Sequence, residues 1–168
     1  MIDNTGSRGA VFYLVNAFNC SWVNCSFVGN NATGSGGAIS FLAASGCSVV
    51  NSSFVGNKGS NGGAIHFTDS DTFSVVNSSF VGNKATNNGG AICFDNNAPN
   101  CSWLNCNFVG NNADFKGGAI YFDKILSNCS WLNSNFVNNT AKYGGAIYFL
   151  NNLTNCSFFN LFFLFYFV

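Results

Sequence analysis

Two repeating motifs, and the alternation of fixed with free residues inside each repeat, predict an all-β chain wound into one parallel β-solenoid (β-helix) of about six coils. Gly36-Gly37-Ala38-Ile39 returns at Gly62, Gly89, Gly117 and Gly144. An imperfect earlier copy stands at Arg8-Gly9-Ala10-Val11, and from Arg8 onward the steps are 28, 26, 27, 28 and 27 residues. Phe-x-x-Asn runs through Phe27/Asn30, Phe54/Asn57, Phe80/Asn83, Phe108/Asn111 and Phe136/Asn139 with steps of 27, 26, 28 and 28. Two unrelated motifs keep one period, so the unit is a coil of 26–28 residues.

Each coil supplies three short strands. In the first, Ile39, Ile65, Ile92, Ile120 and Ile147 do not vary, nor do Phe41, Phe67, Phe94, Phe122 and Phe149 two places on. Between them lie Ser40, His66, Cys93, Tyr121 and Tyr148, which share no chemistry. A fixed apolar residue alternating with a free one is the period of a strand with one buried side. The second strand reads Cys20-Ser21-Trp22-Val23-Asn24 and recurs from Cys47, Phe73, Cys101 and Cys129, with the Cys and Trp/Val columns expected inside and Ser outside. The third centres on the Phe column of Phe-x-x-Asn. Segments this short between Gly, Asn and Ser bends cannot be helices.

One coil cannot bury its own apolar face. Stacked at the strand spacing of about 4.8 Å, coils place Phe over Phe and Ile over Ile, and the backbone bonds run between coils. Asn24, Asn51, Asn77, Asn105 and Asn133, followed by Asn160, then fall one above another at a bend. There an amide tolerates the left-handed backbone and can donate to the next amide, so a ladder is expected.

The tandem GGAI and FxxN motifs over residues 8 to 160 resemble the repeat of the polymorphic outer membrane proteins of Chlamydia, and are similar to adhesin-like surface proteins of methanogenic archaea. That resemblance implies a right-handed β-helix displayed at the cell surface and engaged in adhesion. A right-handed crossover is also the usual chirality of parallel connections. The start, MIDNTGSRGAVFYLV, lacks the pattern of a secretory signal, and the chain shows neither a barrel nor an anchor. Residues 1–168 are therefore expected to be one domain, a fragment of a larger surface protein.

Composition restricts the partners. Charged residues are 7% of the chain, the net charge is zero, and 29 Asn take the place of charge, so there is no basic face for nucleic acid. No apolar run is long enough for a spanning helix. A carbohydrate-active site would need clustered carboxylates. The chain offers Asp3, Asp69, Asp71, Asp95, Asp114 and Asp123 and no Glu. Asp95 and Asp123 fall at matching places after the GGAIxF strand, which makes a small acidic patch conceivable, but solvated turn carboxylates are the expectation. No catalytic residue, metal or cofactor is assigned. Cys20, Cys47, Cys101, Cys129 and Cys156 share a column that also accepts Phe73, which marks them as buried apolar filler. His66, the only histidine, together with Tyr121 and Tyr148, stands at the outward strand position and is a candidate for surface binding.

From residue 158 to 168 the repeat survives only in outline: Phe163 keeps its step, while Tyr166 stands where a second Asn belongs. This degenerate apolar coil offers no polar cap, so end-to-end self-association is expected. The function expected is non-catalytic adhesion to surface glycans, host proteins or neighbouring cells; the alternatives are a polysaccharide lyase or hydrolase fragment, or a stalk spacer. Phe108→Ala should remove a middle rung of the core and cost roughly 3 to 5 kcal/mol in chemical denaturation. Tyr121→Ala, at an outward position, is expected to cost well under about 1 kcal/mol.

Overall fold

The structure is a computed structural model that describes residues 1–165. Among these residues there is no helix, and none therefore that could cross a membrane. All strand pairing is parallel and joins each coil to the next. Three sheets of six strands form the walls of a β-solenoid of about six turns. The first wall holds Phe12–Val15, Ile39–Leu42, Ile65–Thr68, Ile92–Asp95, Ile120–Phe122 and Ile147–Phe149. The second runs from Ser21–Val23 to Ser157–Phe159, and the third from Ser26–Val28 to Phe162–Leu164.

The count of three strands per coil needs one amendment. Two-residue strands also pair at the corners, as at Asn31–Ala32 with Lys58–Gly59, and Ala98–Pro99 with Leu126–Ser127. The ladder of hydrogen bonds between coils thus continues through the bends, as in Lys58 N–H to the Asn30 carbonyl and Asn100 N–H to the Ser127 carbonyl.

Register is that of the motifs. Ile39, Ile65, Ile92, Ile120 and Ile147 are Cα partners in succession, and so are Phe27, Phe54, Phe80, Phe108 and Phe136. The Phe27 to Phe136 rings stack at centroid separations of 4.6 to 4.9 Å and lie within 7° of parallel. A second pile, Phe41, Phe67, Phe94 and Phe122, stacks at 4.4 to 4.9 Å. Trp103 lies on Trp131 at 4.3 Å in the second wall, where Val49 and Val75 occupy the same inward column. Cys47, Cys101 and Cys129 are buried beside it, while the intervening serines face outward and are at least partly exposed.

The Gly pair has two separate causes. Gly36, Gly62, Gly89, Gly117 and Gly144 have φ between 63° and 71°, the left-handed region that favours glycine. In the first four copies the next glycine is excluded from bearing a side chain by the stack itself: a Cβ on Gly63 would run into the carbonyl oxygen of Gly90, and one on Gly90 into that of Gly118.

Two asparagine ladders are present, and the stronger is not at the expected place. Asn24, Asn51, Asn77, Asn105 and Asn133 do adopt φ of 48° to 54°, but all are exposed. Amide bonds in that column link Asn105 to Asn77 at 2.9 Å and Asn160 to Asn133 at 2.8 Å. The buried ladder belongs to the Asn of Phe-x-x-Asn. The side-chain oxygen of Asn111 accepts from both the backbone N–H and the Nδ2 of Asn83, each at 3.0 Å. Asn111 Nδ2 donates to the Phe80 carbonyl at 3.0 Å and to Asn139 Oδ1 at 2.9 Å. Asn30, Asn57 and Asn83 repeat the pattern, and Asn4 begins it. Tyr166, expected where the repeat carries its second Asn, lies outside the described residues.

Replacing Asn111 by Ala leaves the Asn83 backbone N–H without its partner in the core and removes one of the two bonds of Asn83 Nδ2, which keeps the Phe54 carbonyl. An orphaned buried group costs about 1–3 kcal/mol and each further lost bond about 0.5–1.5 kcal/mol, so Asn111→Ala should lose at least about 2 kcal/mol in urea denaturation. Asn105→Gly, in the exposed ladder and at a backbone geometry glycine accepts, should change stability by less than about 0.5 kcal/mol.

Candidate functional site

The free column of the first wall is where the repeat leaves chemistry unassigned: Tyr13, Ser40, His66, Cys93, Tyr121 and Tyr148 are successive Cα partners. It points away from the core, yet Ser40, His66, Cys93 and Tyr121 are all buried. The turn that ends in the Gly pair folds back over the outer face of its own strand. A Cβ built on Gly89 would lie 2.9 Å from the Cys93 Cβ, and one on Gly36 would lie 3.0 Å from that of Ser40. Alternation in a sequence separates the two faces of a strand but carries no information about what covers the outer one.

His66 and Tyr121 are therefore not the exposed candidates expected of them. His66 is 6% exposed and Tyr121 is 4% exposed. The small loss expected for Tyr121→Ala does not fit an environment this closed. Tyr148, in the last complete coil, remains half-buried; its ring stacks with that of Tyr121 at 5.9 Å and carries the Lys116 ammonium 5.1 Å from its centroid.

Asp95 and Asp123, beside this column, are not simple turn carboxylates. His66 Nε2 lies 2.8 Å from Asp95 Oδ2, and the Cys93 thiol donates to Asp95 Oδ1 at 3.3 Å. The Tyr121 hydroxyl donates to Asp123 Oδ1 at 2.8 Å. Register makes this possible: His66 pairs with Cys93 and Thr68 with Asp95, so a residue two places along one strand meets the side chain one coil below. Matching columns for Asp95 and Asp123 were legible in the sequence; the bond to His66 was not, because it joins different columns of different coils.

Burial pushes the Asp95 carboxyl up, but the hydrogen bond and charge of His66, with the Cys93 thiol bond, outweigh it and hold the group below the usual carboxylate range. Burial, then the charge of Asp95, hold the Cys93 thiol well above its ordinary value. Burial and the bond to Asp123 do the same to the Tyr121 phenol. A thiol kept protonated is a poor nucleophile, and the imidazole nitrogen near the carboxylate serves Asp95 rather than the sulfur. The site opens into a cavity of about 200 Å³ lined by Arg8, Tyr13, Ser35, Leu42, His66 and Asp95, among others. Among the described residues, His66, Cys93 and Asp95 are the one group of His, Cys and Asp whose ligand atoms converge, all lying within 4.8 Å of one another.

A tandem-repeat β-solenoid with one roofed polar column is the class these features define. Three of its segments, residues 24–41, 77–97 and 133–150, match the Chlamydia polymorphic membrane protein repeat. Each matched segment spans a Phe-x-x-Asn corner and the following GGAI strand. No curated protein and no solved structure matches the chain.

The buried cysteines also set a response to base. Cys106 occupies a column with Ser52, Ser78 and Ser134, whose hydroxyls accept from backbone N–H groups of the coil before; its thiol donates to the Leu104 carbonyl at 3.3 Å. Burial pushes this thiol from 9.0 up to about 11, against the opposing pull of backbone hydrogen bonds. Between those values the unfolded chain holds fewer protons than the folded one, so stability falls as pH rises from about 9 toward 11. Cys106→Ser should make that alkaline decline shallower, read as unfolding free energy against pH.

Proposed function

We propose that this chain is a non-catalytic, adhesin-like module of a cell-surface protein. The observation that carries the reading is the polymorphic membrane protein repeat laid on a regular solenoid, whose invariant residues are all occupied in the stack. Those residues hold the shape, and the outward columns of the second and third walls and of the corners are free to meet a partner. The second and third walls display parallel stripes of Ser or Asn beside Val or Leu along the axis. A neighbouring corner aligns Asn31, Lys58, Lys84 and Asn112. Such neutral amide, hydroxyl and lysine surfaces suit glycans or polar protein surfaces and give nucleic acid no basic face.

The last coils add a second contact. Phe149, Leu153, Phe158, Leu161 and Phe163 line an open apolar hollow, and Phe159 beside it is 70% exposed. End-to-end association of chains would cover this surface.

A carbohydrate-active reading is favoured by one feature, the cavity with His66, Asp95, Arg8 and Tyr13. The purified chain should bind members of a glycan array or host-cell surface preparation, with and without calcium, and should release no product from uronic polysaccharides. Product formation would overturn the non-catalytic reading, and absence of any binding would leave the stalk spacer in its place. Sedimentation of the same preparation should show concentration-dependent association; a clean monomer at micromolar concentration counts against the end-to-end contact.

A further inference from the structure

We propose that His66, Cys93 and Asp95 form a binding site for a divalent cation of the zinc type, with three protein ligands and a fourth position open to the adjoining cavity. Cys93 is the starting point. The other seven cysteines fall in two inward-facing columns, Cys20 with Cys47, Cys101, Cys129 and Cys156, and Cys25 with Cys106, where sulfur serves as filler. Cys93 alone stands in the outward column, fully buried, with its sulfur against a carboxylate instead of hydrocarbon. Apolar filling does not account for it.

The three donors come from two adjacent rungs. His66 lies on one strand, and Cys93 and Asp95 lie two residues apart on the next, with Cys93 the register partner of His66. The rung spacing and the alternation of the strand thus aim an imidazole, a thiol and a carboxylate at one point. Nε2 to Oδ2 is 2.8 Å, Sγ to Oδ1 is 3.3 Å, and all three ligand atoms lie within 4.8 Å. Ligand atoms around a tetrahedral zinc sit about 3.4 Å apart, so side-chain adjustments of an ångström or less are sufficient.

The donor set selects the ion. Sulfur with imidazole nitrogen suits zinc and its cobalt substitute, and is wrong for calcium or magnesium, which take oxygen. Thiolate and carboxylate together neutralise a dication, which matters where His66 and Cys93 are almost wholly shielded from water. On binding, the thiol proton leaves to solvent and sulfur gives its electron pair to the metal. The fourth position faces a cavity that Arg8 and Tyr13 also line, so an anionic or hydroxyl-bearing fourth ligand finds partners there. Elsewhere the same columns hold Ser40, Tyr121 and Tyr148, and Leu42, Thr68 and Asp123, so the stack does not itself demand these three residues.

The test is titration of the purified, reduced chain with zinc against a chromophoric chelator, and separately with cobalt. One zinc per chain and the charge-transfer absorption of a cobalt–thiolate bond are expected. Cys93→Ser and His66→Ser should weaken zinc at least about 100-fold, since losing even a group that supports a ligand typically costs 10–100-fold. Cys20→Ser and Cys156→Ser, at partly exposed thiols outside the cluster, should leave affinity and spectrum unchanged. Should the buried variants fail to fold, Asp95→Thr carries the same expectation, because Thr68 fills that column in the preceding coil. Absence of the cobalt–thiolate band in the unaltered chain, or its survival in Cys93→Ser, overturns the proposal whether or not the chain proves to be an adhesin.

Discussion

Everything in this molecule depends on the buried amide of Phe-x-x-Asn. A corner of a solenoid must turn the chain inside a crowded stack while leaving no backbone donor or acceptor unpaired, and in water-free surroundings each failure is costly. Asn111 meets that demand in full. Its oxygen takes two donors from one coil, and its nitrogen gives one bond backward and one forward. Shifting the preceding coil by one residue would lose three of the four at once. The same slip would carry the phenyl column to the outer face of its wall, so amides and rings fix one and the same register.

Much of this was legible in the letters, and the reason is geometric. In a parallel stack the same position in each repeat meets itself, so invariance within the chain marks an inward column directly. Ile39, Phe41 and Phe27 could be placed in that way. The asparagines show where the inference stops. Both Asn24 and Asn30 recur in register, and a recurrence cannot tell a wet ladder from a dry one. A clue lay in the next residue: after Asn30, Asn57, Asn83, Asn111 and Asn139 come Asn, Lys, Lys, Asn and Thr, a free outward position that leaves its predecessor facing in.

The roofed column was illegible for a different reason. Whether Ser40, His66, Cys93 and Tyr121 meet water depends on the path of the Gly turn, and that path follows from left-handed φ values at Gly36 and its equivalents. Nothing in a local hydrophobic pattern encodes a turn that doubles back. The outcome is a partly enclosed polar strip, shielded enough for Asp95 to bind His66 and Cys93 yet open beside Arg8 and Tyr13. The repeat spends its fixed letters on architecture, and this strip is where individual coils differ.

The direction of the backbone bonds has a mechanical consequence. Every interstrand bond lies along the solenoid axis, joining one coil to the next. Tension applied along that axis would pull on the coil interfaces in series, so the weakest would part first and the rest could unwind one turn at a time. A sideways load would instead be shared among the three walls. A chain of this design is stiff against bending and yielding under extension, more like a spring that pays out its length than a rod that snaps.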